Sequence, residues 1–395
     1  MRDWCRPEQG TRCFDQLPAT VEQLLTGLRA GPALEEPLLR ERFERVAFVY
    51  VDALGWTFLE RHAAHPIVER ARSDGLVTQL TAQFPSTTTA QVTTVHSGLT
   101  VAEHGLYEWH VYEPAFDRLI TPLLFSFAGD GMRGSLVGRI DPDDLFPTES
   151  VYARLADAGV ASSVVLPSAI ADSAPNLALL RGTEVVPFAT ADDALAQASR
   201  ALAAGAGYAH VYLDELDSLM HAVGPDDPLA EACARLLLDA LAGATFPAGT
   251  LVLVTADHGM SPVDPDRTVY VNELWPELAA HLETGADDKP LAPAGSCRDL
   301  FLHARPEQVE TVCAELGGRL DGLADVLPVE ELVNEGIFAE PSQRLRDRLA
   351  NVVVLPHHGE AVYWHEPGRF VQQLHGQHGG LSPQEMEIPL VAWVA

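Results

Sequence analysis

Residues 46–52 read Val-Ala-Phe-Val-Tyr-Val-Asp, six apolar or aromatic residues closed by a carboxylate. Similar runs recur at 163–166 (SVVL), 208–213 (YAHVYL), 250–255 (TLVLVT) and 388–394 (IPLVAWV). None alternates strictly between apolar and polar residues, so each predicts a strand covered on both faces, as in a parallel sheet. Ala- and Leu-rich helical stretches lie between them, 191–204 and 230–242 being the clearest. Strands alternating with helices predict an α/β fold: a mostly parallel central sheet with helices on both faces.

The rest of the 395-residue chain is organised around that sheet. Residues 1–40 read as a helical lead-in to the first strand. The texture changes over 265–350, where 298–303 (RDLFLH) predicts a strand, 307–320 an amphipathic helix and 326–334 a turn into another helix. These describe a small α+β insert or cap at 265–350, set into a core made of 1–264 and 351–395, with the sheet resuming at 352–355. Internal repeats and low-complexity tracts are absent from the sequence.

Composition narrows the function. Hydrophobic residues make up 47% and charged residues 21%, ordinary values for a globular protein. No run of about 18 apolar residues occurs, so no membrane-spanning helix is expected. The formal charge is −30, and Lys289 is the only lysine. Such a chain repels nucleic acid and anionic membrane, so no nucleic-acid surface and no membrane partner are expected, and an anionic substrate needs a local site of opposite sign. The N-terminal MRDWCRPEQGTRCFDQL has no apolar signal core. Cys5, Cys13, Cys233, Cys297 and Cys313 are odd in number and form no CxxC pair. A reduced, cytoplasmic setting without a disulfide framework is the expectation.

The chemistry sits where strands end. Asp52 follows the first strand, Asp214, Glu215 and Asp217 follow 208–213, and Asp257-His258-Gly259 follows 250–255. In open α/β sheets the carboxyl ends of strands border the binding crevice. Carboxylates gathered there repel one another and take up protons unless a divalent cation intervenes. Asp217 and His221, four apart, fall on one side of a helical turn, and His378 lies in Gly376-Gln-His-Gly-Gly380. Carboxylate and imidazole ligands suit Zn²⁺, with Mn²⁺ or Fe as alternatives. A second element, Phe84-Pro-Ser-Thr-Thr-Thr-Ala-Gln91, clusters hydroxyls at 86–89 ahead of a helix-like stretch. A hydroxyl there lies in a positive dipole beside free amides, which favours an alkoxide or a bound phosphate, although the segment by itself reads first as a simple helix cap.

Taken in order, the strand ending at Asp52, the FPSTT and SGLTVAEHGL segments, Asp217-x-x-x-His221 with Gly224-Pro225, Thr255-Ala-Asp-His-Gly-Met260 and His378-Gly-Gly resemble the alkaline phosphatase superfamily in its type I phosphodiesterase/nucleotide pyrophosphatase branch. The resemblance runs from about 46 to 395. It implies an alkaline phosphatase-like catalytic core and two divalent metal ions. Asp217, His221 and His378 would hold the first. Asp52, Asp257 and His258 would hold the second, with Thr88 Oγ touching it. Thr88 is the implied nucleophile because it stands ten residues before Gly98 of Ser97-Gly98; Thr87 and Thr89 are its alternatives. Gln91 occupies the place of an asparagine that contacts phosphate in many relatives, which makes its amide a candidate donor to a phosphate oxygen.

The activity this implies is metal-dependent hydrolysis of a phosphodiester or pyrophosphate bond through a phospho-threonine, on a small-molecule phosphate ester or nucleotide. A phosphomonoesterase or phosphomutase of the same superfamily is the alternative, and a non-catalytic metal-binding scaffold a further one. A sulfatase is disfavoured because no C/S-x-P-x-R sequence surrounds Thr88. Three aspartates and two divalent cations leave a small positive surplus, which suits a diester's single charge better than a monoester dianion. No arginine lies between 76 and 117 to raise it, although folding can bring Arg118, Arg133 or Arg139 near. Phe84, Tyr107, Trp109 and Tyr112 are candidates for stacking on a substrate ring, or else core.

Overall fold

A computed structural model describes residues 4–395 apart from 29, 30 and 32. Met1, Arg2 and Asp3 of the N-terminal stretch, and those three positions of the lead-in, therefore lie outside the described residues. The strands that frame the site are β1 (Val46–Val51), β2 (Leu76–Thr81), β3 (Ser162–Pro167), β4 (Glu184–Phe188), β5 (Tyr208–Leu213), β6 (Leu251–Thr255), β7 (Ala294–Gly295), β8 (Leu300–Leu302), β9 (Ala324–Pro328), β10 (Val352–Pro356) and β11 (Glu387–Val394). The helices include α1 (Leu17–Thr26), α2 (Thr88–Ser97), α3 (Ala191–Ala203), α4 (Glu215–Val223), α5 (Pro228–Gly243), α6 (Val309–Arg319) and α7 (Pro383–Met386).

Seven strands form the central sheet in the order β2-β11-β6-β1-β5-β3-β4. β1 pairs in parallel with β5 and β6, and β3 with β4 and β5, whereas β11 runs antiparallel to both β2 and β6. Every residue of β1 and of β6 is buried, which requires cover on both faces; α1 and α3 are among the helices that pack on the sheet. The α/β architecture expected from 46–52 and its companions is the one found. The two edge strands, β2 and β4, were not expected. Their residues are partly exposed, and Phe188 is the only buried residue of β4, so neither carries the unbroken apolar signature of the interior strands.

One expectation is corrected. Residues 352–355 do not resume the central sheet. β10 lies in a second, four-stranded sheet ordered β7-β8-β10-β9, antiparallel throughout, with α6 packed on it. Its fully buried VVVLP run satisfies either sheet, so hydrophobicity alone did not choose between them. Residues 326–328, read as a turn, belong to strand β9.

The strand order decides the chemistry. β6, β1 and β5 are adjacent, with Val51 opposite Leu213 and Tyr50 opposite Thr255. Their carboxyl ends therefore bring Asp257, Asp52 and the start of α4 together from three distant parts of the chain. The loops nest closely there. A Cβ on Gly259 would lie 2.0 Å from the Gln384 carbonyl oxygen, and one on Gly55 would lie 2.7 Å from the Gly259 Cα. Among the described residues no helix is long and apolar enough to cross a membrane, and all five cysteines are unpaired.

The nesting makes a prediction. Gly259→Ala should destabilise the protein by about 2 kcal/mol or more, since the clash is with main chain that cannot rotate away. Urea unfolding of the two proteins measures it; equal midpoints would contradict the close approach.

Candidate active site

Two groups of three side chains converge at the strand ends. Asp217, His221 and His378 form one, and Asp52, Asp257 and His258 the other, with the ligand atoms in each within 4.8 Å of one another. In the first, His221 Nε2 lies 3.4 Å from Asp217 Oδ2 and His378 Nε2 lies 3.8 Å from Asp217 Oδ1. In the second, His258 Nε2 lies 3.2 Å from Asp257 Oδ2 and 3.6 Å from Asp52 Oδ1. The two groups touch: the rings of His258 and His378 stack with centroids 3.5 Å apart. The second group is buried and the first half-buried, facing the cavity.

The main chain aims the imidazoles. His221 Nδ1 faces the Gly376 carbonyl at 2.8 Å, His378 Nδ1 the Ser86 carbonyl at 2.9 Å and His258 Nδ1 the Gly259 carbonyl at 2.9 Å. A nitrogen facing a carbonyl must carry the hydrogen, so in all three rings the Nε2 lone pair points into the site, the arrangement that orients metal-bound histidines. The carboxylates are placed similarly. Ala53, at φ 61°, turns its N–H onto Asp257 Oδ1 at 3.1 Å, and Tyr212 Oη donates to Asp52 Oδ2.

The electrostatics are unfavourable as the side chains stand. Burial raises the Asp52 carboxyl well above its ordinary range, with Asp257 and Asp217 adding to it. Burial raises Asp257 as well. Asp217 is pushed up to about 6, by burial first, against the opposing pull of His221. Burial drives His258 down to about 3 and, with the neighbouring His258 and His221, holds His378 well below its ordinary value, so both are neutral. Neutral imidazole is the ligand form. One oxygen each of Asp52, Asp217 and Asp257 is buried without a hydrogen-bond partner. Orphaned acceptors, crowded carboxylates and neutral Nε2 atoms together fit divalent cations, which supply the missing positive charge.

Thr88 is the first residue of α2, and its Oγ1 lies 3.2 Å from His258 Nε2. Of its neighbours Thr87 is engaged, whereas Thr89 Oγ1 is buried without a hydrogen-bond partner. Thr87 caps the helix through Ala90 N–H at 3.4 Å and donates to the Tyr107 carbonyl at 2.9 Å, and Thr89 is fully buried. Ser86, also fully buried, binds Gly379 N–H and the Gly380 carbonyl, which ties the hydroxyl segment to the His378 loop.

Gln91 is corrected. It does not reach the site. It is fully buried, its Nε2 donates to the carbonyls of Gln83 at 3.0 Å and Pro85 at 3.3 Å, and its Oε1 accepts from Gln83 Nε2. On α2 the cavity face runs through Thr88, Val92 and His96, a four-residue step that leaves position 91 on the inner side.

The groups open onto a cavity of about 540 Å³. Of the four aromatic candidates only Trp109, 41% exposed, lines it; Phe84 and Tyr107 are core, and the Tyr112 hydroxyl binds Asp117. Arg133 lines the cavity, whereas Arg118 and Arg139 lie over the Phe127 ring. Arg369, Tyr212 and Glu108 also line it and were not singled out from sequence. Nothing in their local spacing marks them; Tyr212, for example, meets the site by donating to Asp52, 160 positions away.

The sequence matches the family described as type I phosphodiesterase/nucleotide pyrophosphatase over residues 46–381. No curated protein matches it by sequence. Among solved structures it is similar to an inactive variant of murine ectonucleotide pyrophosphatase/phosphodiesterase 5 in complex with AMP, at 19% identity over 88% of this chain and 87% of that one, with a TM-score of 0.63. The human counterpart is 16% identical over 88% and 87% of the two chains, with a TM-score of 0.65. Phosphonoacetate hydrolase from Sinorhizobium meliloti 1021, in complex with phosphonoformate, is 18% identical over 88% and 89%, with a TM-score of 0.64. These likenesses establish a shared, alkaline phosphatase-like fold.

The raised carboxyls give a pH dependence with a definite sign. Asp217 stands at about 6 when folded against 3.8 ordinarily, so its contribution to metal-free stability is full below about pH 4 and lost as pH rises through about 6. Asp52 and Asp257 act in the same direction. A cation binds the deprotonated groups, so Zn²⁺ should raise the Tm more at about pH 7.5 than at about pH 5. Differential scanning calorimetry reads this directly; an equal or reversed shift would contradict the grouping.

Proposed function

The chain belongs to the type I phosphodiesterase/nucleotide pyrophosphatase family of phosphoric ester hydrolases, and from that premise we propose that it cleaves a phosphodiester or pyrophosphate bond of a small-molecule substrate with Thr88 as nucleophile. Two divalent cations, for which Zn²⁺ suits the ligand set best, would be held by Asp217, His221 and His378 and by Asp52, Asp257 and His258. The observation that carries this reading is the contact of the Thr88 hydroxyl with His258, at the meeting point of both groups. When bound, the cations acidify the alcohol and neutralise charge that develops on the departing oxygen.

The residues of the chain do the rest. Thr88 Oγ attacks phosphorus and forms a phospho-threonine as the ester oxygen leaves, the Thr88 hydroxyl proton passing to that oxygen or to solvent. Water then attacks the same phosphorus, breaks the Thr88–phosphate bond and releases phosphate or a phosphomonoester, with one proton restored to Thr88. The amides of Thr88 and Thr89, in the first turn of a ten-residue helix, have no intrahelical acceptor. They are the donors for the equatorial oxygens, in the place first assigned to Gln91.

Trp109 and Tyr363 both line the cavity and offer aromatic surface to a nucleotide-like or other cyclic substituent. AMP in the murine relative and phosphonoformate in the bacterial one keep both nucleotide and phosphonate chemistry within range. Arg133 in the wall favours a second reading, a monoester or phosphonate dianion, over the diester. The small α+β unit drawn at 265–350, extended to include β10, covers the crevice and selects the leaving group.

Thr88→Ala should lower turnover of bis(p-nitrophenyl) phosphate by about 10³-fold or more while metal content, read by elemental analysis, stays the same. Retained turnover would move the nucleophile to another group. Wild-type enzyme should prefer that diester to p-nitrophenyl phosphate; a strong monoester preference would establish the second reading.

A further inference from the structure

The turn 296–299, between β7 and β8 of the second sheet, reaches into the loop that carries His378. Ser296 Oγ lies 2.6 Å from Asp299 Oδ1 and 3.2 Å from the His378 carbonyl oxygen. Arg298 is the largest fully buried side chain. Its Nε and Nη2 donate to the two oxygens of Glu385 at 3.0 and 2.9 Å, and its Nη1 donates to the carbonyls of His357, at 2.8 Å, and Glu360. Glu385, also fully buried, accepts Gly380 N–H at 3.1 Å and Ser382 Oγ at 2.5 Å. Its carbonyl accepts Gly259 N–H at 2.8 Å. One residue thus holds the main chain two positions beyond His378 with its side chain, and one position beyond His258 with its backbone.

Stability does not explain this placement. A fully buried ion pair costs so much desolvation that apolar residues of equal volume often serve as well. Apolar residues cannot, however, hold one amide and two carbonyls in set directions. The fit leaves no slack: a Cβ on Gly380 would lie 3.0 Å from Glu385 Oε2, and one on Gly379 would lie 2.6 Å from Asp299 Oδ1. Elsewhere the loop is held by Ser86, through Gly379 N–H at 3.2 Å, the Gly380 carbonyl at 2.8 Å and His378 Nδ1 at 2.9 Å, and before His378 by the antiparallel pairing of 376–377 with 261–262.

We propose that the Arg298–Glu385 pair, with Ser296, is a positioning device that fixes His378, so that the second sheet is part of the scaffold of the Asp217/His221/His378 site rather than a detachable cover. This rests on the two-cation reading above. It predicts an asymmetry. Loosening the pair frees the chain that follows His378, which is held there by the side chains of Glu385 and Ser296, and leaves the Asp52/Asp257/His258 site in place, because Gly259 is held by the Glu385 main chain.

Co²⁺ titration followed by visible absorption separates the sites, with His221→Ala and His258→Ala assigning each spectrum. Wild-type protein should bind two Co²⁺ ions. Glu385→Gln should weaken the Asp217/His221/His378 site by about 10-fold or more and change its spectrum, with the other site within about 2-fold of wild type. Arg298→Lys should act in the same direction. If Glu385→Gln lowers the Tm but leaves both affinities unchanged, or weakens both equally, the pair is only a core ion pair and the proposal is overturned. Should that variant fail to fold, Ser296→Ala decides: a selective loss at the same site supports the proposal, and unchanged affinity overturns it. Wild-type protein that binds no Co²⁺ would sink the two-cation reading itself, and this inference with it.

Discussion

Three aspartates are forced together where three adjacent strands end, and their mutual repulsion is the constraint on which the rest of the site depends. Asp52, Asp217 and Asp257 come from separate parts of the chain, and the order β6-β1-β5 leaves their carboxyls nowhere else to go. Each has a buried oxygen without a hydrogen-bond donor. Unpaired anions in low dielectric are costly enough that a protein either protonates them or neutralises them. The surrounding residues are arranged for the second course. Among the described residues no lysine or arginine pairs with these aspartates, and three imidazoles offer lone pairs rather than protons.

That arrangement reconciles the local chemistry with the overall charge. A chain of net charge −30 repels an anionic ester at long range, whereas two divalent cations held among the three carboxylates would attract it at short range. The half-buried first group opens to the cavity, and the fully buried second group lies beneath Thr88. Placing the alcohol on the first turn of α2 adds the helix dipole and free amides to the same spot. The cavity then supplies breadth, with Trp109, Arg133 and Arg369 among its lining residues.

Much of this was legible in the sequence because it rests on local chemistry repeated at strand ends. A buried parallel strand needs an unbroken apolar run, and the acid at its end is read off directly, as at Asp52 and Asp257. Helical spacing likewise pairs Asp217 with His221. His378 was found through its glycines, whose lack of side chains admits the packing of Asp299 and Glu385 against the loop. Other features depend on contacts that no spacing encodes. The edge strands β2 and β4 lack a full apolar run, and the antiparallel direction of β11 follows from the path of the chain before it. β10 has the composition of a core strand and joins the other sheet. Gln91 lies three residues from Thr88, which suggests reach, yet its amide is consumed by the backbone that leads into the helix. Arg298 and Glu385 are 87 positions apart, and only the folded chain reveals them as partners.

The most direct test of the account is an anomalous-scattering map from crystals grown with Zn²⁺, recorded at the zinc absorption edge. The account predicts two separate peaks, one bounded by Asp217, His221 and His378 and the other by Asp52, Asp257 and His258 beside Thr88 Oγ1. A map with no peak at those positions in fully loaded protein would contradict it.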